Sequence, residues 1–256
     1  MKLADYGESL AHDVAFWMLG MDDPSYPPER LGKLSLEIST KLRALAIITL
    51  LVKAESDYFF HNLIRSGSIR ETYLRRVIAA GLLEDHHRSL GRFDPLLDLI
   101  AARAFGDVRR IEALSPAEFR PGHEYEDDYW YASILHEMCK ESPDESRIGS
   151  LLDCFEKALD GMGKTRLDLC RALAARDQES FSRSFQGLLS RHASQIAKDR
   201  ERGILEEPAI LAERQIFIEG LAVLQLAELR GLTTDEEYPY CPSLARVPML
   251  IPFPYQ

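Results

Sequence analysis

The chain has 256 residues, 46% hydrophobic and 28% charged, proportions that exclude global disorder, collagen-like repetition and low complexity and leave ample length to bury a core. Lys and Arg number 31 against 41 Asp and Glu, a net charge of -10, which is the wrong sign for broad attachment to nucleic-acid backbones or anionic lipid and favours a basic partner. Cys139, Cys154, Cys170 and Cys241 have no CxxC spacing, so neither a disulfide scaffold nor a zinc knuckle is indicated and a reducing compartment is expected.

At the N-terminus Asp5, Glu8 and Asp13 interrupt any apolar core of a secretory signal, so a cytoplasmic location is expected. The most apolar runs, 44–52 and 216–229, fall short of the roughly 18 residues a membrane span requires. Helical periodicity then dominates the chain. It predicts a short helix around His12 to Leu19, a long one from Pro28 through Leu63, and a third from Ser68 to about His87. The run DPLLDLIAARAFGD is expected to stop at Gly106, with Asp107 capping a helix through Val108, Ile111 and Leu114. Ser115-Pro116-Ala117-Glu118 has the pattern of a capping box opening one brief turn, which Pro121-Gly122 closes. Helices are expected at Asp127 to Lys140, Pro143 to Leu159 and Pro208 to Leu229.

Between the last two, Leu167, Cys170, Leu173 and Ala174 form one apolar stripe, and Phe181, Phe185, Leu188, Leu189, His192 and Ile196 form another. Asp177 caps the second, so the pair reads as a helical hairpin. The Asp107 and Asp177 corners lie 70 residues apart, about twice the roughly 34-residue period of helix-pair repeats. The expected fold is therefore all-α, either an irregular helical bundle or a degenerate, solenoid-like array of antiparallel hairpins. It is expected to form one domain over 1–256, with a subdivision into 1–120 and 124–256 left open. The tail from Tyr238, with Pro239, Pro242, Pro248, Pro252 and Pro254, cannot be helical and is expected to lie along the body as an extended strap.

Motif chemistry is sparse. Ala158 to Thr165 (ALDGMGKT) fits a relaxed phosphate loop, but helical spacing precedes it where a buried strand is required, so Gly161 and Gly163 read as a helix stop. His136-Glu137 begins a zinc-protease helix, yet Lys140 stands where the second histidine belongs, and His86-His87 has no further ligand spaced to complete a site. No GxSxG elbow or activated cysteine is present. No enzyme, cofactor or metal is expected.

Charge is more informative. From Glu124 to Asp160 eleven acids face three bases, whereas Arg65 to Arg92 carries six arginines against three acids. One reading places Glu126, Asp127 and Asp128 at a helix N-terminus, where they meet the positive end of the macrodipole. The other makes Glu124, Glu126, Asp127, Asp128, Tyr129 and Trp130 an acidic aromatic face for a basic protein, with half of the aromatics turned to the core.

The segments LDLCRALAARDQESFSRSFQGLLSRHAS and IFIEGLAVLQLAELRGLTTDEEYPYCP, between Leu167 and Pro242, resemble the C-terminal half of the immunity protein 49 family of bacterial polymorphic toxin systems. The resemblance rests on the corner at Leu169, Leu173, Asp177, Gln178 and Phe181, the helix ending near His192, the Ala/Leu-rich helix stopped by Gly231, and the tyrosine-proline close. It implies a cytoplasmic antitoxin that binds and neutralises a toxin delivered by a contact-dependent or type VI-like system, without catalysis. Toxins of this kind that act in the cytoplasm are often nucleases with basic clefts, which an acidic binder can occlude. The alternative is a helical-repeat adaptor or scaffold unrelated to toxins. Neither nucleic acid nor membrane is an expected partner.

Overall fold

The computed structural model describes residues 3–161, 163–206 and 208–255; among these are eleven α-helices, three short 3-10 turns and no strand. The fold is all-α. No helix among the described residues is long and apolar enough to cross a membrane.

Helix α1 (Leu3–Asp22) packs on α2 (Pro28–Lys53) through Leu10, Val14 and Met21. Pro28 opens α2 at a position where a missing N–H costs nothing. The long helix expected through Leu63 is broken at Ala54, whose left-handed conformation (φ 55°) closes α2 with its N–H on the Leu50 carbonyl. The chain then reverses into α3 (Ser56–Ala79), which lies along α2. Periodicity alone did not show this break, because both arms of the hairpin bury their stripes in the same core.

α4 (Asp94–Ala101) is buried along its length from Pro95 onward and crosses α3 where Gly67 meets Leu99. A Cβ on Gly67 would stand 2.4 Å from Leu99 side-chain atoms, so the absence of a side chain sets this crossing distance. α5 (Phe105–Leu114) begins earlier than expected, with Ala104 at the cap. Asp107 lies inside its first turn, buried, accepting from Arg110 and from the Tyr255 hydroxyl. The expected turn at Ser115 to Glu118 is not helical.

The second half pairs α6 (Glu126–Met138) with α7 (Glu145–Leu159), then α8 (Thr165–Ala175) with α9 (Gln178–Glu201). Asp177 caps α9 by accepting from the N–H groups of Glu179 and Ser180, both at 3.1 Å. Gln178 exchanges two hydrogen bonds with the backbone of Thr233, at 2.9 and 2.8 Å, so the Asp-Gln corner ties α9 to the turn after the last helix. The expected helix from Pro208 to Leu229 is two, α10 (Pro208–Gln215) and α11 (Ile218–Leu229). They part at Phe217, whose N–H is drawn out to the Tyr240 carbonyl at 2.8 Å.

Buried hydrophobic residues from α1 to α11 form one contiguous cluster. α4 packs on α11 and α10 returns to α2, so sequence-distant elements close on one another. This closure makes an irregular bundle and not an open solenoid, in which each pair would touch only its neighbours. After a 3-10 turn (Ser243–Ala245) the chain runs without regular structure against α3 and α5. Leu250 N–H donates to Asp57 (2.7 Å), His61 Nε2 meets the Ile251 carbonyl (2.8 Å), and the Tyr255 hydroxyl reaches Asp107 (2.8 Å).

Candidate partner-binding surface

The first turn of α6 carries Glu126, Asp127 and Asp128, three acids at the positive end of that helix, and no side chain caps it by a hydrogen bond. Tyr125 stands just before them, 79% exposed. Glu126 is exposed and accepts the Trp130 indole N–H at 3.1 Å, which fixes the half-buried ring in place. Trp130 meets Tyr129 edge-on at 4.9 Å; Tyr129 is buried, with its hydroxyl donating to the Ala117 carbonyl at 2.8 Å. Tyr131, the next residue, is fully buried, so the aromatic run divides between core and surface. Glu124 is half-buried and accepts from the Gly91 N–H at 2.6 Å.

Asp128 turns away from this face. It contacts Arg166, at the start of α8, at 3.4 Å, while Glu219, at the start of α11, holds the same guanidinium through two bonds of 2.6 and 3.1 Å. The guanidinium lies over the rings of Tyr131 (4.8 Å) and Phe93 (5.2 Å), the latter capping α4, so four helix N-termini converge on one ion cluster. Burial disfavours the charge on Arg166, but Glu219, its dominant partner, more than offsets this and raises the guanidinium pKa further. Burial outweighs the weaker Arg166 contact at Asp128 and pushes that carboxyl up to about 6, with Asp127, Glu219 and Asp94 adding to the rise. Of the six residues the sequence singled out, the structure thus leaves Glu126 open to solvent. Asp127 and Trp130 are half-buried, Glu124 and Asp128 are half-buried and bonded to Gly91 and Arg166, and Tyr129 is buried.

The arginine-rich segment is likewise divided, with Arg65, Arg75 and Arg92 exposed and the others turned inward. Arg70 is buried and donates to the carbonyls of His87, Arg88 and Ser89; Arg76 donates to those of Met21, Asp23 and Tyr26. Desolvation of Arg70 lowers its pKa to about 10.

Three cavities surround the irregular segment between α5 and α6 and share Ala117. One, of about 370 Å³, is lined by Arg109, Glu112, Tyr129, Ser133, His136 and Arg147. A second, of about 560 Å³, lies between that segment and the turn after α3, lined by Leu83, Glu84, Arg88, Phe119 and Arg120. The third, of about 420 Å³, runs along α6 and α7 past Glu118, Phe119, Trp130 and Leu151. His136 is 3% exposed and its Nδ1 has no hydrogen-bond partner; burial, with Lys140 and Arg70 nearby, holds its pKa down to about 3, so the ring is neutral. Apart from Pro121-Gly122, which marked the close of the expected turn, nothing in the sequence indicated that these residues meet.

The motif candidates resolve structurally. Asp160 and Gly161 (φ 40° and 81°) turn the chain from one helix to the next, with no strand leading in, and Lys164 pairs with Glu156 at 3.2 Å. Glu137 is buried among Lys140, Arg147 and the Asp144 N–H. Asp85, His86 and His87 bring donor atoms within 4.8 Å of one another, a grouping of three the sequence did not show. Asp85, however, already caps the turn by accepting from the His87 N–H, and Arg70 and Arg92 act on His87, charges that oppose a bound cation. Burial is the chief reason its pKa falls to about 4.

No curated protein and no solved structure matches this chain. A family model described as Immunity protein 49 matches residues 48–245, which extends the similarity from α8–α11 back to the end of α2. The match covers most of an all-α chain whose Asp177 corner, Gln178 tie and α11 all serve its packing, and on that basis the chain belongs to the immunity protein 49 family.

Proposed function

We propose that this protein neutralises a cognate toxin, a nuclease-type effector with a basic cleft, by binding it and blocking access, with no chemistry of its own. Family membership carries the immunity role. The charge and geometry of the surface support the mode of binding. Tyr125 and Glu126 project into solvent beside Trp130, so an acidic rim borders aromatic area suited to a desolvated centre. The protein would act in the cytoplasm, where such a toxin arrives through a contact-dependent or type VI-like route. An adaptor unrelated to toxins would share the fold, but nothing in the surface favours it over the family's role.

The test is co-expression with the toxin encoded by the neighbouring reading frame. Cells carrying both genes are expected to grow and cells carrying the toxin alone to die; death in both cases rejects the immunity role. Glu126→Lys and Asp127→Lys combined with Trp130→Ala should weaken binding to the inactivated toxin at least tenfold. Unchanged affinity would remove this face from the mechanism.

A further inference from the structure

Helix α1 is held on α2 along one edge. Gly7 lies so close that a Cβ there would stand 2.9 Å from Ile48 Cγ2, and Asp13 pairs with Lys41 at 3.1 Å, so the edge of Leu10, Val14 and Met21 is fixed against its support. The opposite edge is apolar and open. Phe16 is 72% and Leu19 69% exposed, and with His12 they follow the spacing of four and three that sets side chains on one helical face. Exposed Ala11 and Ala15 widen that face. Single exposed apolar residues carry no meaning, but large ones a turn apart, at the spacing by which a helix anchors in a groove, mark a face that a partner covers.

The charge around the stripe selects the partner. α1 carries Asp5, Glu8, Asp13 and Asp22 and neither Lys nor Arg, and Asp23 follows it. Asp22 and Asp23 stand at the negative end of the helix, where a cation is favoured and the last turn supplies none. Lys41 and Arg76, which reach α1 from α2 and α3, are committed, Lys41 to Asp13 and Arg76 to the carbonyls of Met21 and Asp23. A second copy does not fit this pattern. An antiparallel pairing centred on Ala15 and Phe16 sets Glu8 of one helix toward the Asp22–Asp23 end of the other, and a parallel pairing sets each acid on itself. An anionic membrane is repelled by the same acids.

We propose that this face of α1 docks in an apolar groove of the toxin bordered by Lys or Arg, with Phe16 and Leu19 as anchors and Glu8 and Asp22 meeting the bases. This rests on the immunity reading, and it adds to the α6 face a contact made by a helix outside the matched residues 48–245. Because α2 already holds α1 folded, docking orders no new segment, and the acids steer the encounter.

Binding to the inactivated toxin is measured by calorimetry for wild type, the pair Phe16→Ala and Leu19→Ala, the pair Glu8→Lys and Asp22→Lys, and Glu179→Lys on α9 as a control. Every substituted position is exposed, so thermal unfolding should stay close to wild type. Both α1 pairs are expected to bind at least tenfold more weakly, and the control with wild-type affinity. In the wild-type protein, amides of 9–22 should gain protection from hydrogen exchange when toxin is added. Wild-type affinity in either pair, or unchanged exchange across 9–22, overturns the site while leaving immunity intact. Light scattering and sedimentation with phosphatidylcholine vesicles test the other occupants: a wild-type dimer that the Phe16→Ala and Leu19→Ala pair makes monomeric, or vesicle binding lost in that pair, also overturns it. If the wild type does not bind the toxin, the immunity reading falls and this contact with it.

Discussion

His136 and Asp128 lie on the same helix, and burial moves their protons in opposite senses: the imidazole down to about 3, the carboxyl up to about 6. The folded protein therefore binds fewer protons at His136 than the unfolded chain does below about pH 6.5, so stability falls as the medium is acidified, by about 1.4 kcal/mol per pH unit for each such proton. His87, held near 4, contributes in the same direction. Asp128 opposes them, because its folded form keeps a proton to higher pH than the unfolded chain and stability is lost as pH rises from about 4 to 6. Asp128→Asn should therefore stabilise the protein at pH 7 and steepen its acid-induced loss, whereas His136→Asn should flatten that loss. Urea unfolding between pH 4.5 and 7 measures both, and equal slopes in the two variants would contradict these assignments. The sequence exposed Asp128 as a helix-end acid but not its partners, since Arg166 and Glu219 reach it only through the packing of α8 and α11.

At the scale of the helices, the apolar stripes located the elements well, and the Asp177 cap and the Phe181-to-Ile196 stripe lie where the spacing placed them. Boundaries were legible only where local chemistry set them. Ala54 carries no glycine or proline signal for the turn it makes, and Phe217 leaves the helix because the distant Tyr240 carbonyl takes its N–H. The similarity between the two aspartate corners was misleading for the same reason: Asp177 caps a helix, whereas Asp107 is a buried anchor for Arg110 and Tyr255. Close helix crossings are equally invisible in one-dimensional patterning. At Gly67, an added methyl must displace Leu99, which is fully buried, so Gly67→Ala should cost about 1–3 kcal/mol through overpacking, despite alanine's better helix propensity. Thermal unfolding checks this, and a stabilised variant would show that α3 and α4 have room to separate.

For the molecule as a whole, the negative sign of the net charge was legible in the sequence, but its distribution was not. The run of acids from Glu124 to Asp160 is divided between solvent and internal pairs, and the arginine-rich stretch is divided in the same way: Arg70, Arg76 and Arg88 are directed at backbone carbonyls, whereas Arg65, Arg75 and Arg92 are exposed. The cavities around Ala117 were not legible, since the sequence placed a helical turn at Ser115 to Glu118 and their walls come from segments brought together by folding. The convergence of helix starts on Arg166 has its own consequence. Were α8 to fray by one turn, Glu219 and Asp128 would be left facing each other without their shared cation, and α6 and α11 would be loosened in turn. These first turns should consequently open as a single cooperative unit, with matched amide-exchange free energies, and replacing Arg166 with Met should lower all three together.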